Sequence, residues 1–196
     1  MVTTTKQVRK TRSRERILTA AAELFHARGL RGVGIDDVLA ESGVARSTFY
    51  AHFRTKDELV ATYLRETDAS WRGQLQDAAE RAGSEPRDQL VGMFDALLAS
   101  FDRHGFFGCP FISSSVEAEL DSEARHITLE HVARRQSWLT ELCADLSDEP
   151  ALLASEVGLL VDGALASGRL LQDRTVVQAA KAACERLLTH SGKEPR

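Results

Sequence analysis

Arg46, Ser47, Thr48, Tyr50 and His52 crowd five hydrogen-bonding side chains into one short stretch of the chain. Phosphate oxygens and the edges of base pairs call for this set, whereas a helix that merely fills a core has no need of it. Lys56 adds a positive charge where another helix is expected to begin, and free backbone N–H groups at such a terminus already attract phosphate. Reactive constellations are absent by contrast. The sequence has no G-x-S-x-G, no glycine-rich phosphate loop and no H-E-x-x-H. His126 and His131 are five apart, off the i, i+4 face that a helical metal pair requires. Cys109, Cys143 and Cys184 are odd in number and widely spaced, which points to small buried hydrophobes, not to a disulfide framework or a zinc site. The chemistry expected is therefore binding: no enzyme activity, no cofactor and no metal.

The elements that must position these side chains read as helices. Residues 35–53, IDDVLAESGVARSTFYAHF, hold two short helices, about 35–42 and 45–52, joined through Ser42, Gly43 and Val44. Gly43 permits a sharp turn, and Val44 is apolar enough to be pinned between the helices. Val38, Leu39, Val44, Phe49 and Phe53 supply a shared core. This is helix-turn-helix geometry, whose second helix can lie in a major groove.

The remainder is helical as well. Ile17, Ala20, Ala21, Leu24 and Phe25 form one stripe of a first helix that stops at Gly29. Further helices are expected at about 56–82, from Pro86 to about His104, from Pro110 to about Leu120, from a cap at Asp121 or Ser122 to Leu146, and at 150–171 and 174–190. The fold class is all-α. A division into residues 1–55 and 56–196 is expected, with the boundary at the start of a helix shared by both parts. No run approaches 18 uninterrupted apolar residues, so no membrane span or membrane partner is expected. The basic, polar start MVTTTKQVRKTRSRER has no apolar segment behind it, which predicts a cytoplasmic protein.

Charge is divided unevenly along the chain. Residues 1–60 carry 11 Lys/Arg against 7 Asp/Glu, a net of +4, while residues 61–196 carry 14 against 22, a net of −8. A basic head on an acidic body suggests that one end meets a polyanion. Lys6, Arg9, Lys10, Arg12, Arg14 and Arg16 form the basic arm. Two readings of it stand open: a salt-sensitive DNA contact, which we favour, or a solvated tail.

With these residues in view, the stretch resembles the N-terminal domain of TetR/AcrR-type transcriptional regulators. Their pattern runs from A-x-x-L-F-x-x-x-G at the end of the first helix, through D-I/V-A, to a recognition segment and a final S-K-x-x-L. Here the first part reads Ala21-Ala22-Glu23-Leu24-Phe25-His26-Ala27-Arg28-Gly29, and the second Asp37-Val38-Leu39. Ser42 to Phe53 follows, and then Thr55-Lys56-Asp57-Glu58-Leu59. The resemblance implies a three-helix DNA-binding domain followed by a helical ligand-binding and dimerisation domain. It implies that Arg46, Ser47, Tyr50 and His52 face the groove, and that Thr48, Tyr50 and Lys56 grip phosphates. Three positions depart from the pattern. Gly34 and Ala45 stand where Ser or Thr usually caps a helix, and Leu39 occupies a site that is commonly Ala. A missing cap costs about 0.5–2 kcal/mol and loosens the reading head locally.

For the body, the resemblance implies that the last two helices pair with those of a second subunit, making a homodimer. The 150–171 helix suits burial on several sides, and Leu153, Val157, Leu160, Val161 and Ala164 are the expected dimer contacts. An apolar effector site is expected from Trp71, Met93, Phe94, Leu97, Phe101, Phe107, Phe111 and Trp138, with Ser114 and Glu117 among the polar groups able to orient a ligand. The function expected is a repressor released from a palindromic double-stranded DNA operator by a small apolar molecule. The competing reading is a helical adaptor acting through protein–protein contacts, which leaves Arg46, Tyr50, His52 and Lys56 without a purpose. Drug-like, fatty-acyl and aromatic effectors are all open.

Overall fold

The computed structural model describes residues 2–104 and 108–190, with side chains from Thr11 to Asp102 and from Gly108 to Thr189. Among the described residues there are ten α-helices and no strand. They are α1 (Val2–Arg28), α2 (Ile35–Ser42), α3 (Arg46–Tyr50), α4 (Lys56–Ala82) and α5 (Pro86–Gly92). After them come α6 (Phe94–His104), α7 (Pro110–Glu117), α8 (Glu123–Cys143), α9 (Pro150–Leu171) and α10 (Thr175–His190).

Two elements differ from the sequence expectation. The basic arm continues α1 back to Val2, since neither Gly nor Pro occurs before Gly29 to interrupt the helix. The single helix expected from Pro86 is broken at Met93 into α5 and α6. Gly92, just before that break, is buried, and a Cβ there would lie 2.2 Å from the Ala82 Cβ. The backbones of α4 and α5 therefore meet where no side chain fits.

The chain forms two compact units. The first comprises Met1–Thr67 with Pro110–Thr128, and the second Asp68–Cys109 with Leu129–Arg196. The unit around the helix-turn-helix is thus larger than the expected 1–55 segment. It takes in the start of α4, all of α7 and the first residues of α8. In this unit Ile17, Ala20, Ala21, Leu24 and Phe25, the stripe read from the sequence, are all buried. They share the core with Val33, Val38, Phe49, Phe53, Leu59, Leu64 and Phe111.

In the second unit α10 packs against α9, α6 and α5. Leu90, Met93, Phe94, Leu97, Leu139, Leu153, Val157 and Val177 make its core. By length and composition α9 is apolar enough to cross a bilayer. It packs as a bundle helix instead: one face is buried, and Asp162 on it accepts two hydrogen bonds from Arg135, at 2.6 and 2.7 Å.

Cys143 and Cys184 are fully buried in this unit, as expected of small hydrophobes. Burial pushes the Cys143 thiol up to about 11 and, with Cys143 and Glu185 nearby, the Cys184 thiol up to about 12. Both stay protonated at neutral pH, and a thiol without its thiolate is a poor nucleophile. Native protein at pH 8 should therefore leave both unmodified by a maleimide over the minutes that suffice for urea-unfolded chain, as read by peptide mass spectrometry. Equal labelling rates in the two states would contradict the packing described here.

Candidate nucleic-acid interface

The reading head is assembled on the buried half of its short helices. Gly43 takes the left-handed conformation, φ +61°, that ends α2, and its N–H donates to the Leu39 carbonyl. Arg16 of α1 donates to the Ser42 carbonyl at the same corner. Val44 is buried beneath the turn, and Phe49 and Phe53 pack 5.9 Å apart between ring centres. With Phe49 fixed inward, Arg46, Ser47 and Tyr50 of α3 are left exposed. Tyr50 is 46% exposed, with its ring edge-on to Phe49 at 5.5 Å between centres.

The caps missing from the sequence are replaced in part. At Gly34 the Asp37 carboxylate accepts the backbone N–H at 2.7 Å, and Arg28 donates to its other oxygen at 3.1 Å. The Gly34 N–H and the Arg28 charge hold the Asp37 carboxyl below its ordinary range. Ala45 offers no side-chain cap, and its carbonyl accepts from the Thr48 and Phe49 N–H groups. Thr55 caps α4, accepting the Glu58 N–H at 3.1 Å, while the Glu58 carboxylate accepts the Arg54 N–H at 2.8 Å. Lys56 is thereby set, half-buried, in the first turn of α4.

Not every expected contact residue points outward. Thr48 is half-buried. His52 is half-buried too, its Nε2 lying 2.8 Å from the Ser13 hydroxyl, so it braces α3 against α1. Arg46 is ion-paired with Asp36 of α2, a partner that sequence spacing did not suggest. Of the basic arm, Arg14 bridges Glu66 at 2.9 Å and lies over the Phe53 ring, and Arg16 holds the α2 corner. Arg12 is exposed. The side chains of Lys6, Arg9 and Lys10 lie outside those described.

The expected effector residues do not gather in one unit. Met93, Phe94 and Leu97 are core residues of the second unit, where Trp71, Phe101 and Trp138 are half-buried. Phe111, Ser114 and Glu117 belong to the first unit, and Phe107 lies outside the described residues. Glu117 in particular reaches the turn after α1, where its carboxylate accepts the Arg31 N–H at 2.7 Å. The expected dimer contacts lie mostly on the inner side of α9. Leu153, Val157, Val161 and Ala164 are buried within the chain and Leu160 is half-buried, whereas Leu152, Leu159, Leu170 and Leu171 are the exposed leucines of α9.

Comparison with known proteins agrees with this geometry. Residues 17–63 match the model of the tetR family of bacterial regulatory proteins. The repressor NemR of Escherichia coli is 26% identical over 106 residues, covering 54% of this chain and 53% of NemR. The activator FasR of Mycolicibacterium smegmatis is 30% identical over 133 residues, 67% of this chain and 55% of FasR. The chain thus spans little more than half the length of these curated relatives. A crystal structure of a TetR-family transcriptional regulator from Streptomyces coelicolor superposes with a TM-score of 0.86 at 29% identity, covering 93% of this chain and 97% of that one.

Proposed function

The chain belongs to the TetR family of bacterial regulatory proteins, and from that premise we propose that it is a dimeric, DNA-binding repressor released by a small apolar effector. The observation that carries the reading is the division of α3 between core and solvent: Phe49 is fully buried while Arg46, Ser47 and Tyr50 are exposed. Two such helices enter successive major grooves of a near-palindromic operator, with Lys56 and Tyr50 on phosphates and Arg46 on a base edge. Such a protein acts where its DNA is, in the cytoplasm.

The second subunit is placed against α9 and α10, where Leu152, Leu159 and Leu170 leave an apolar stripe exposed. The effector is assigned to the helices of residues 57–146. The α4 helix leads out of the head, so tilting it alters the separation of the two α3 helices, which must match a groove spacing of about 34–36 Å. An effector works only if it binds the DNA-incompetent arrangement more tightly. NemR is a repressor and FasR an activator; repression is the reading we take here.

Fluorescence anisotropy on the DNA flanking the chain's own gene, over a salt series, tests the proposal. Binding that weakens steeply with salt and resists scrambled competitor is the expected result. A folded dimer that binds neither that DNA nor any duplex selected from random sequence would overturn it.

A further inference from the structure

We propose that Glu117, the last residue of α7, is a positioning residue for the reading head. It holds the turn between α1 and α2 and so presets how α2 and α3 meet DNA. The inference rests on the DNA-binding reading above and assigns to it a residue far from α3 in sequence. Three observations, all within the first compact unit, carry it.

The first is the bond itself. The Arg31 N–H donates to Glu117 Oε2 at 2.7 Å, across 86 residues of chain. Arg31 lies in the short connection after α1, where α1 has ended and α2 has not begun, so its N–H has no place in either helix. The second is the shape of the turn. Gly29 is left-handed, φ +76°, and a Cβ there would come within 2.7 Å of Glu117 Oε1. The missing side chain is what lets the carboxylate reach the backbone. The third is the anchoring of α7. Phe111 and Ser114 are buried on the face that leads, one turn on, to Glu117, and the Ser114 hydroxyl accepts from Thr128 of α8 at 3.2 Å. The opposite face is exposed, with Val116 at 80%. Glu117 is therefore delivered to the turn from a helix fixed on its inner side.

Electrostatics argues that this contact does more than stabilise a helix end. A carboxylate beside the C-terminus of α1 meets the negative end of that helix, where a cation is the favourable neighbour. His26 and Arg28 already occupy the last turn of α1. What Glu117 contributes is direction: it selects one conformation of the Gly29–Val33 connection that feeds α2. A head held in its binding geometry does not have to be ordered when DNA arrives.

The test compares Glu117→Ala with Glu117→Gln on the duplex that the unmodified protein selects from random sequence, in two readouts. Glu117→Ala should weaken binding about five- to tenfold, the scale of one hydrogen bond to a charged group in a partly exposed setting. It should also speed amide exchange at Arg31 by about tenfold while leaving the melting temperature of the chain unchanged. Glu117→Gln keeps an acceptor oxygen in place and should retain most of both. Undiminished affinity in Glu117→Ala, or equal losses in the two variants, would overturn the proposal, the second by assigning the effect to charge alone. If the unmodified protein selects no duplex, the regulator reading fails and this inference falls with it, an outcome distinct from a failure confined to the variants.

Discussion

Replacing Arg46 by alanine should weaken binding to the selected duplex by about two orders of magnitude or more and flatten the preference at one base position in each half-site. A bidentate arginine–guanine contact carries about 1–3 kcal/mol of discrimination, and a dimer makes the contact twice. The Arg46 guanidinium is free of the core and engaged by Asp36. It enters the groove either by leaving that carboxylate or by turning a second edge toward the base, and both routes lose their purpose in the alanine variant. Tyr50→Ala and Lys56→Ala should behave differently. Contacts to phosphate carry no sequence information, so these variants should lose affinity on cognate and scrambled DNA alike. Lys56→Ala should also lower the salt slope by about 1 for each contact removed. Anisotropy titrations on both duplexes at several salt concentrations separate the classes. Equal losses on cognate and scrambled DNA for Arg46→Ala would remove it from the base-reading role.

The parts of this architecture visible in the sequence are those set by local pattern. The stripe from Ile17 to Phe25 has an unambiguous helical period and a polar opposite face, so its buried side could be named in advance. Gly43 and Val44 mark the turn, and Phe49 and Phe53 then fix which way α3 faces. Pattern fails where a helix is apolar nearly all round. On α9 leucines and valines cover most of the circumference, so period alone does not choose between the Leu153–Val157–Val161 face and the Leu152–Leu159 face. Only packing against the rest of the bundle decides. Pattern fails again for long-range polar pairs. Nothing in the spacing of Ser13 and His52, or of Arg31 and Glu117, marks them as partners. In the sequence Glu117 reads as a polar group in an apolar region, able to orient a ligand; in the fold its carboxylate accepts the Arg31 N–H.

The same blindness hid a buried polar cluster in the second unit, and removing its centre should have the largest effect on stability. Asp68 of α4 is 6% exposed and His131 of α8 is 4% exposed. His131 Nδ1 lies 2.7 Å from Asp68 Oδ1, and Arg134 donates to Asp68 Oδ2 at 2.9 Å. Arg72 approaches the same oxygen at 3.6 Å, and Arg134 is shared with Glu130. Asp68→Ala should cost about 3 kcal/mol, the upper end of the penalty for leaving a buried polar group without its partner, because both arginines can turn to water while His131 cannot. The effect should grow in acid. Burial holds His131 below its ordinary pKa of 6.5, with Arg135 acting in the same direction and Asp68 and Asp162 opposing. A histidine depressed in the fold binds fewer protons than in the unfolded chain. Its contribution is therefore complete above 6.5 and is lost as pH falls through that value toward the lower folded pKa. Without Asp68 the principal opposing group is gone, the depression deepens, and more stability is lost over the same interval. Urea unfolding at pH 7.5 and 5.5 should therefore show a gap between Asp68→Ala and the unmodified chain that widens at the lower pH. A gap that narrows in acid would mean that native His131 takes up a proton more readily without Asp68 than with it, overturning the opposition between burial and Asp68 argued here.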